Sequence, residues 1–139
     1  MQKEGITSRE RLRMRKYICA GCELTPVNVL VRLARDSSAK VRRRVAENPK
    51  TPITVLVMLA SDRDKDVRVS VCDNWSTPAG LLFLLAGEDC PDVRYAIAEN
   101  SHAPRQILTV LARDENPYVA ERAMRTMAQQ VSIDCSHVA

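Results

Sequence analysis

The chain repeats itself every 26 residues, and this constrains its fold more than any other feature. Aligned on that period, four copies begin at Thr25-Pro26, Thr51-Pro52, Thr77-Pro78 and Ala103-Pro104. Leucine recurs at Leu30, Leu56, Leu82 and Leu108, and again at Leu33, Leu59, Leu85 and Leu111. Alanine follows at Ala34, Ala60, Ala86 and Ala112, and valine at Val41, Val67, Val93 and Val119. A unit this short cannot bury its apolar face alone and must stack on its neighbours, which is the logic of a solenoid. Such a chain presents a surface and rarely builds a catalytic pocket.

Each copy reads as helix, turn, helix, turn. Threonine then proline ahead of an apolar run predicts a helix start. The Thr hydroxyl is the expected cap, and Pro suits the first helical position, where no N–H is needed. In the first copy this helix is expected over 26–35, about 15 Å at 1.5 Å per residue. Polar turns such as Asp36-Ser37-Ser38 and Asp62-Arg63-Asp64 end it. The second helix carries Val41 and Val45, Val67 and Val71, Val93 and Ile97 at i, i+4 spacing. Asn48-Pro49 stops it in the first copy, because proline pushes the preceding residue out of helical geometry. No segment alternates like a strand, so the expected class is all-α. The run Leu81 to Ala86 is too short for a membrane span, which needs about 20 residues. Packing between neighbouring units is the expected role of Phe83 and Leu84 on its flanks, with a dimer or partner contact through Val57, Met58, Phe83 and Leu84 as the alternative.

Val41-Arg42, Val45-Ala46, Asn48-Pro49, Thr51-Pro52, Leu56, Leu59-Ala60 and Asp62 together resemble the leucine-rich repeat variant, a two-helix relative of HEAT repeats. The resemblance covers about three quarters of the chain. It implies a short right-handed α-solenoid of about four 26-residue two-helix repeats, with some helices tightened to 3₁₀ geometry and no inherent activity. Trp75 departs from the pattern where proline is expected, and the fourth copy has Ala120 for arginine and Thr126 for asparagine. The expected organisation is a basic N-terminal arm and degenerate half-repeat cap over 1–24, a four-repeat solenoid over 25–128 and a C-terminal tail over 129–139, with residues 1–14 and 130–139 fraying. Arg42, Arg68 and Arg94 recur alongside Asp36, Asp62, Glu88 and Asp114, and Asn48, Asn74 and Asn100 recur at the loops. Recurrence in every unit points to bonds between turns, much as Asp and Arg hold HEAT-like repeats, rather than to a phosphate-binding ladder.

Charge is unevenly placed. Residues 1–50 hold 13 Lys/Arg and 5 Asp/Glu, a balance of +8, while residues 51–139 hold 8 and 12, a balance of −4. Outward positions of the second helices run Lys40, Arg43, Arg44, then Asp66, Val69, Asp73, then Asp92, Tyr95, Glu99. A face that turns from basic to acidic can steer an anionic partner to one end. The leading expectation is a non-enzymatic scaffold that docks a protein through Lys40, Arg43, Arg44, Tyr95 and Arg122, with no cofactor; a homodimer is compatible with it. The alternative is nucleic-acid binding by the basic N-terminal third, a class the resemblance admits because HEAT-like DNA glycosylases grip the duplex backbone. Scarce aromatics argue against it.

Cys19-Ala20-Gly21-Cys22 is the chemical candidate, since C-x-x-C can clamp zinc or an iron–sulfur cluster or cycle through a disulfide. A protein of the resembled family carries an N-terminal iron–sulfur module. Here residues 1–50 supply only these two cysteines and no histidine, so the favoured reading is a worn half-repeat. Asp62 to Asp66 looks like the start of a calcium loop but has Val67 where the turn needs glycine. Cys72 reads as core, Cys90 as turn and Trp75 as filler between turns; neither His102 nor His137 sits in a catalytic triad pattern. An odd count of five cysteines argues against a secreted disulfide framework. No apolar signal segment opens the chain, so a cytoplasmic setting is expected with no membrane span.

Overall fold

The computed structural model describes residues 5–136. Among them stand nine α-helices and no strand. The helices are α1 (Ser8–Gly21), α2 (Val27–Leu33), α3 (Ala39–Glu47), α4 (Ile53–Leu59), α5 (Lys65–Asp73), α6 (Ala79–Leu85), α7 (Pro91–Glu99), α8 (Arg105–Leu111) and α9 (Pro117–Ser136). The odd-numbered helices pack on one another in chain order, and each even-numbered helix lies against an odd neighbour. The core is one apolar cluster running the length of this arrangement. Leu30, Leu56, Leu82 and Leu108 enter it from the even helices, and Val41, Val67, Val93 and Val119 from the odd ones. Each such side chain contributes about 1.5–3 kcal/mol on burial.

The helix starts differ from the expectation in who caps them. Pro26, Pro52, Pro78 and Pro104 are themselves the N-caps, with no side-chain cap bond. The threonines look backwards instead. The Oγ1 of Thr25, Thr51 and Thr77 donates to the carbonyls of Cys19, Val45 and Val71, each at 2.6 Å. The hydroxyl thus adds a second bond to a carbonyl in the last turn of the preceding odd helix, which also accepts the N–H of Cys22, Asn48 or Asn74.

No described helix is 3₁₀ along its length. Bonds of the 3₁₀ kind occur at helix ends, as in Val29 N–H to Pro26 O at 2.9 Å and Arg35 N–H to Arg32 O at 3.2 Å, and in the turns between helices, as in Thr51 N–H to Asn48 O at 3.0 Å, while Leu30 N–H to Pro26 O closes an α turn at 3.1 Å. Tightening only the terminal turns satisfies end groups without straining the middle.

Helix reaches into both segments expected to fray, α1 from Ser8 and α9 as far as Ser136. A capping box opens α1: Thr7 Oγ1 accepts from the Glu10 N–H at 3.2 Å, and Glu10 Oε2 accepts from the Thr7 N–H at 2.7 Å. At the other end α9 passes through the expected 128/129 boundary to Ser136. Residues 1–4 and 137–139 lie outside the described residues.

Two packing expectations are overturned. Phe83 and Leu84 are 59% and 68% exposed, so neighbouring units do not cover them. The even helices touch odd helices in preference to each other, which leaves their outer flanks bare. Trp75 is 79% exposed and fills no gap between turns; its ring instead lies 4.0 Å from that of His102 at a tilt of 42°.

Candidate functional site: the row of odd helices

The recurring polar residues hold the helices together. Arg42 reaches Asp62 with its Nε at 2.7 Å and its Nη2 at 2.9 Å, and donates through Nη1 to the Asp36 carbonyl at 2.8 Å. Arg94 repeats the arrangement with Asp114 at 2.8 and 3.0 Å, and Arg68 does so with Glu88. Asn48 Nδ2 donates to the carbonyls of Ala20 and Cys22, both at 2.9 Å. Asn74 Nδ2 serves Ala46 and Asn48 at 2.6 and 3.0 Å, and Asn100 Nδ2 serves Cys72 at 3.0 Å. These side chains are fully engaged inside the fold and are not available to a phosphate.

Sequence comparison undervalued both ends of this pattern. Thr126 keeps the missing asparagine's bond, its Oγ1 donating to the Ala98 carbonyl at 2.6 Å. Lys16 occupies the arginine position one period before Arg42 and pairs with Asp36 at 2.7 Å. Carrying the 26-residue register back into the arm would have found it.

The contact residues expected from the sequence lie on the odd helices. Lys40, Arg43 and Arg44 come together on α3, around a hollow that Tyr17 and Glu47 complete. Arg43 Nε and Arg44 Nη1 both donate to Glu47, at 2.8 and 2.9 Å. The Arg44 guanidinium lies 5.1 Å above the Tyr17 ring centre, a cation–π distance. Its Nε is buried and has no partner among the described residues. Gly21 makes room for it, because a Cβ there would stand 2.4 Å from Arg44 Nη2. Tyr95, on α7, and Arg122, on α9, stand further along the row. Arg122 Nε lies 4.0 Å from Glu99 Oε2 and is buried without a hydrogen bond among the described residues. The structure therefore gathers three of the five proposed contact residues and leaves two apart.

The middle of the row is acidic. Asp73 is exposed as a residue, but partial desolvation of its carboxyl by the packed helices, then the nearby Glu99 and Glu47 carboxylates, push that group above its ordinary range, with Arg43 opposing. Asp66 and Asp92 are also exposed here.

Cys19 and Cys22 sit exposed at the end of α1 with free thiols. Among the described residues no cluster of three or more His, Cys, Asp and Glu side chains is placed to hold a metal. Cys72 is core, and burial first, then the Asp73 and Glu88 charges, push its thiol up to about 12. Cys90 is half-buried at the N-cap of α7. No described helix is long and apolar enough to cross a membrane.

The geometry defines an all-helical protein with a continuous row of packed helices and a charged outer face. Compared with family models, curated proteins and solved structures, the chain finds no match in any of the three.

Proposed function

We propose that the chain is a short right-handed α-solenoid of the leucine-rich repeat variant kind, and that it works without catalysis as a scaffold for a protein partner in the cytoplasm. Lys40, Arg43, Arg44, Tyr95 and Arg122 are its contact residues. One observation carries the reading: the bonded positions keep their chemistry from unit to unit, while the outward positions of the same helices do not. Arg42, Arg68 and Arg94 all make the same ion pair, whereas the position of Arg43 becomes Val69, Tyr95 and then Glu121. A helix row with a constant interior and a varied exterior suits recognition of one partner along its length.

The test is affinity capture from a native lysate at physiological salt, with and without nuclease, using the parent and a Tyr95→Ala/Arg122→Ala variant. A stoichiometric protein that survives nuclease and is lost with the variant is expected. Capture of nucleic acid alone would overturn the scaffold reading. The cationic N-terminal third favours that second reading, which requires affinity to fall steeply with salt.

A further inference from the structure

Three hollows join into one trough along the seam of α1 and α3. The first, of about 540 Å³, is lined by Arg9, Arg13, Lys16 and Lys40 beside the start of α3. A second shares Arg13 and Lys40 with it and adds Met14 and Tyr17. The third shares Lys40 and Tyr17 and ends at Arg43, Arg44 and Glu47. From Ser38 to Glu47 the trough is about 14 Å long at 1.5 Å per residue.

Its carboxylates are already engaged. Asp36 accepts from Lys16 Nζ at 2.7 Å and the Ser38 N–H at 2.9 Å. Glu10 is held in the capping box, and Glu47 by Arg43 and Arg44. Arg9, Arg13 and Lys40, all exposed, form no ion pair among the described residues. The trough therefore carries uncompensated positive charge and calls for an anion.

Its surroundings limit what that anion is. One helix along, the register positions of Lys40 and Glu47 are taken by Asp66 and Asp73, both exposed. Packed helices stand about 8–10 Å apart, so a chain leaving the trough across the row meets carboxylates at once. A nucleic acid is negative along its whole length, whereas a polypeptide changes sign within a residue or two. Only one aromatic ring, Tyr17, lines the trough, and Arg44 already covers it, so no platform for successive bases is present.

We propose that the α1/α3 trough binds a short acidic peptide segment, four or five residues in extended form at about 3.3 Å per residue, its carboxylates meeting Arg9, Arg13 and Lys40. This rests on the scaffold reading and names the chemistry of the partner.

The experiment measures fluorescence anisotropy of a labelled hexaglutamate peptide with the full chain, beside an oligonucleotide of equal charge and vesicles containing phosphatidylserine. Binding of the peptide is expected, weakened about tenfold in Arg9→Ala/Arg13→Ala/Lys40→Ala. It should be unchanged in Arg35→Ala/Arg63→Ala/Arg113→Ala, which removes the same charge from exposed sites off the trough. Circular dichroism shows whether both variants fold. Equal binding by all three proteins, equal weakening by both variants, or tighter binding of the oligonucleotide or the vesicles would overturn the proposal. Undiminished capture of a protein partner by the trough variant would overturn it too while leaving the scaffold reading intact. Peptide binding at the trough with no captured protein would sink the scaffold reading instead.

Discussion

Lys16 Nζ lies 2.7 Å from the Asp36 carboxylate, twenty residues on, the same separation that joins Arg42 to Asp62. The helix α1 is thus bonded to the next unit as α3 is to its own successor. The two cations differ in depth, the Lys16 side chain being 39% exposed and that of Arg42 8%, whereas the carboxylates they meet are equally buried, Asp36 at 8% and Asp62 at 9%. Removing either cation strands a buried carboxylate, at about 3–5 kcal/mol where both partners are buried and less where one reaches water. Arg42 in addition donates to the Asp36 and Ser37 carbonyls, at 2.8 and 3.2 Å. Both Arg42→Ala and Lys16→Ala are therefore expected to destabilise in urea unfolding, Arg42→Ala the more. A Lys16→Ala protein as stable as the parent would show that the buried Asp36 carboxylate does not depend on its partner.

Acid should act through the same carboxylates. At Asp114 the Arg94 hydrogen bond leads in holding the carboxyl below its usual range. At Asp36 and Asp62 burial pushes upward, but the partner cation and the Ser38 or Asp64 amide outweigh it. Each ionises at lower pH when folded, so its contribution is complete above the unfolded value, about 3.9, and is lost as pH falls through the folded one. Asp73 has the opposite sign. Its raised folded value gives a contribution that is present below the unfolded pKa and lost as pH rises through the folded pKa. Asp73→Asn should raise the neutral-pH urea midpoint, and Asp114→Asn should lower it. An Asp73→Asn protein less stable than the parent at pH 7 would refute the assignment.

The alternation of helix types, the core leucines and valines, and the structural role of Arg42, Arg68, Arg94 and the asparagines were all legible from periodicity, because these bonds must recur with the repeat. What periodicity hid has a common cause. Thr25 bonds back along the chain in a direction that spacing does not encode, and a cap assigned from local chemistry looked forward where the real bond runs back. Exposure of Phe83 and Leu84 depends on how far apart the even helices stand, which no single unit reveals. The trough needed three dimensions, since Arg9 and Arg13 meet Lys40 only through the packing of α1 on α3.

Asn74 offers a test of the bonds between units. Its amide serves two buried carbonyls, at 2.6 and 3.0 Å, while its Oδ1 accepts from the Ser76 N–H at 2.8 Å. Asn74→Ala leaves the Ala46 carbonyl and the Ser76 N–H without that partner, the Asn48 carbonyl keeping the Thr51 N–H at 3.0 Å, and should cost about 2–3 kcal/mol in chemical denaturation. Thr126→Val loses the single bond to the Ala98 carbonyl and should cost about 1 kcal/mol. A larger loss at Thr126 than at Asn74 would contradict the bond inventory.

Trp75 is the largest side chain in the molecule and should be among the least important for stability. At 79% exposure its truncation to alanine is expected to change stability by less than about 1 kcal/mol. Leu56, fully buried, should cost about 2–5 kcal/mol on the same change. Thermal melts of both variants decide it, and a strongly destabilised Trp75→Ala would place the indole in the core after all.

The cysteines divide by access, and alkylation reads that division directly. Cys19 and Cys22 stand exposed at the end of α1, so iodoacetamide reaches them in the native chain. Cys72 is fully buried, and its thiol is pushed up to about 12, so near pH 8 it is both shielded and protonated. The thiolate is the reacting species, and burial removes it as well as its access. Peptide mapping after native labelling should find Cys19 and Cys22 modified and Cys72 untouched until denaturant is added. Labelling of Cys72 at the rate of Cys19 would mean that α5 opens far more readily than its packing between α3 and α7 requires.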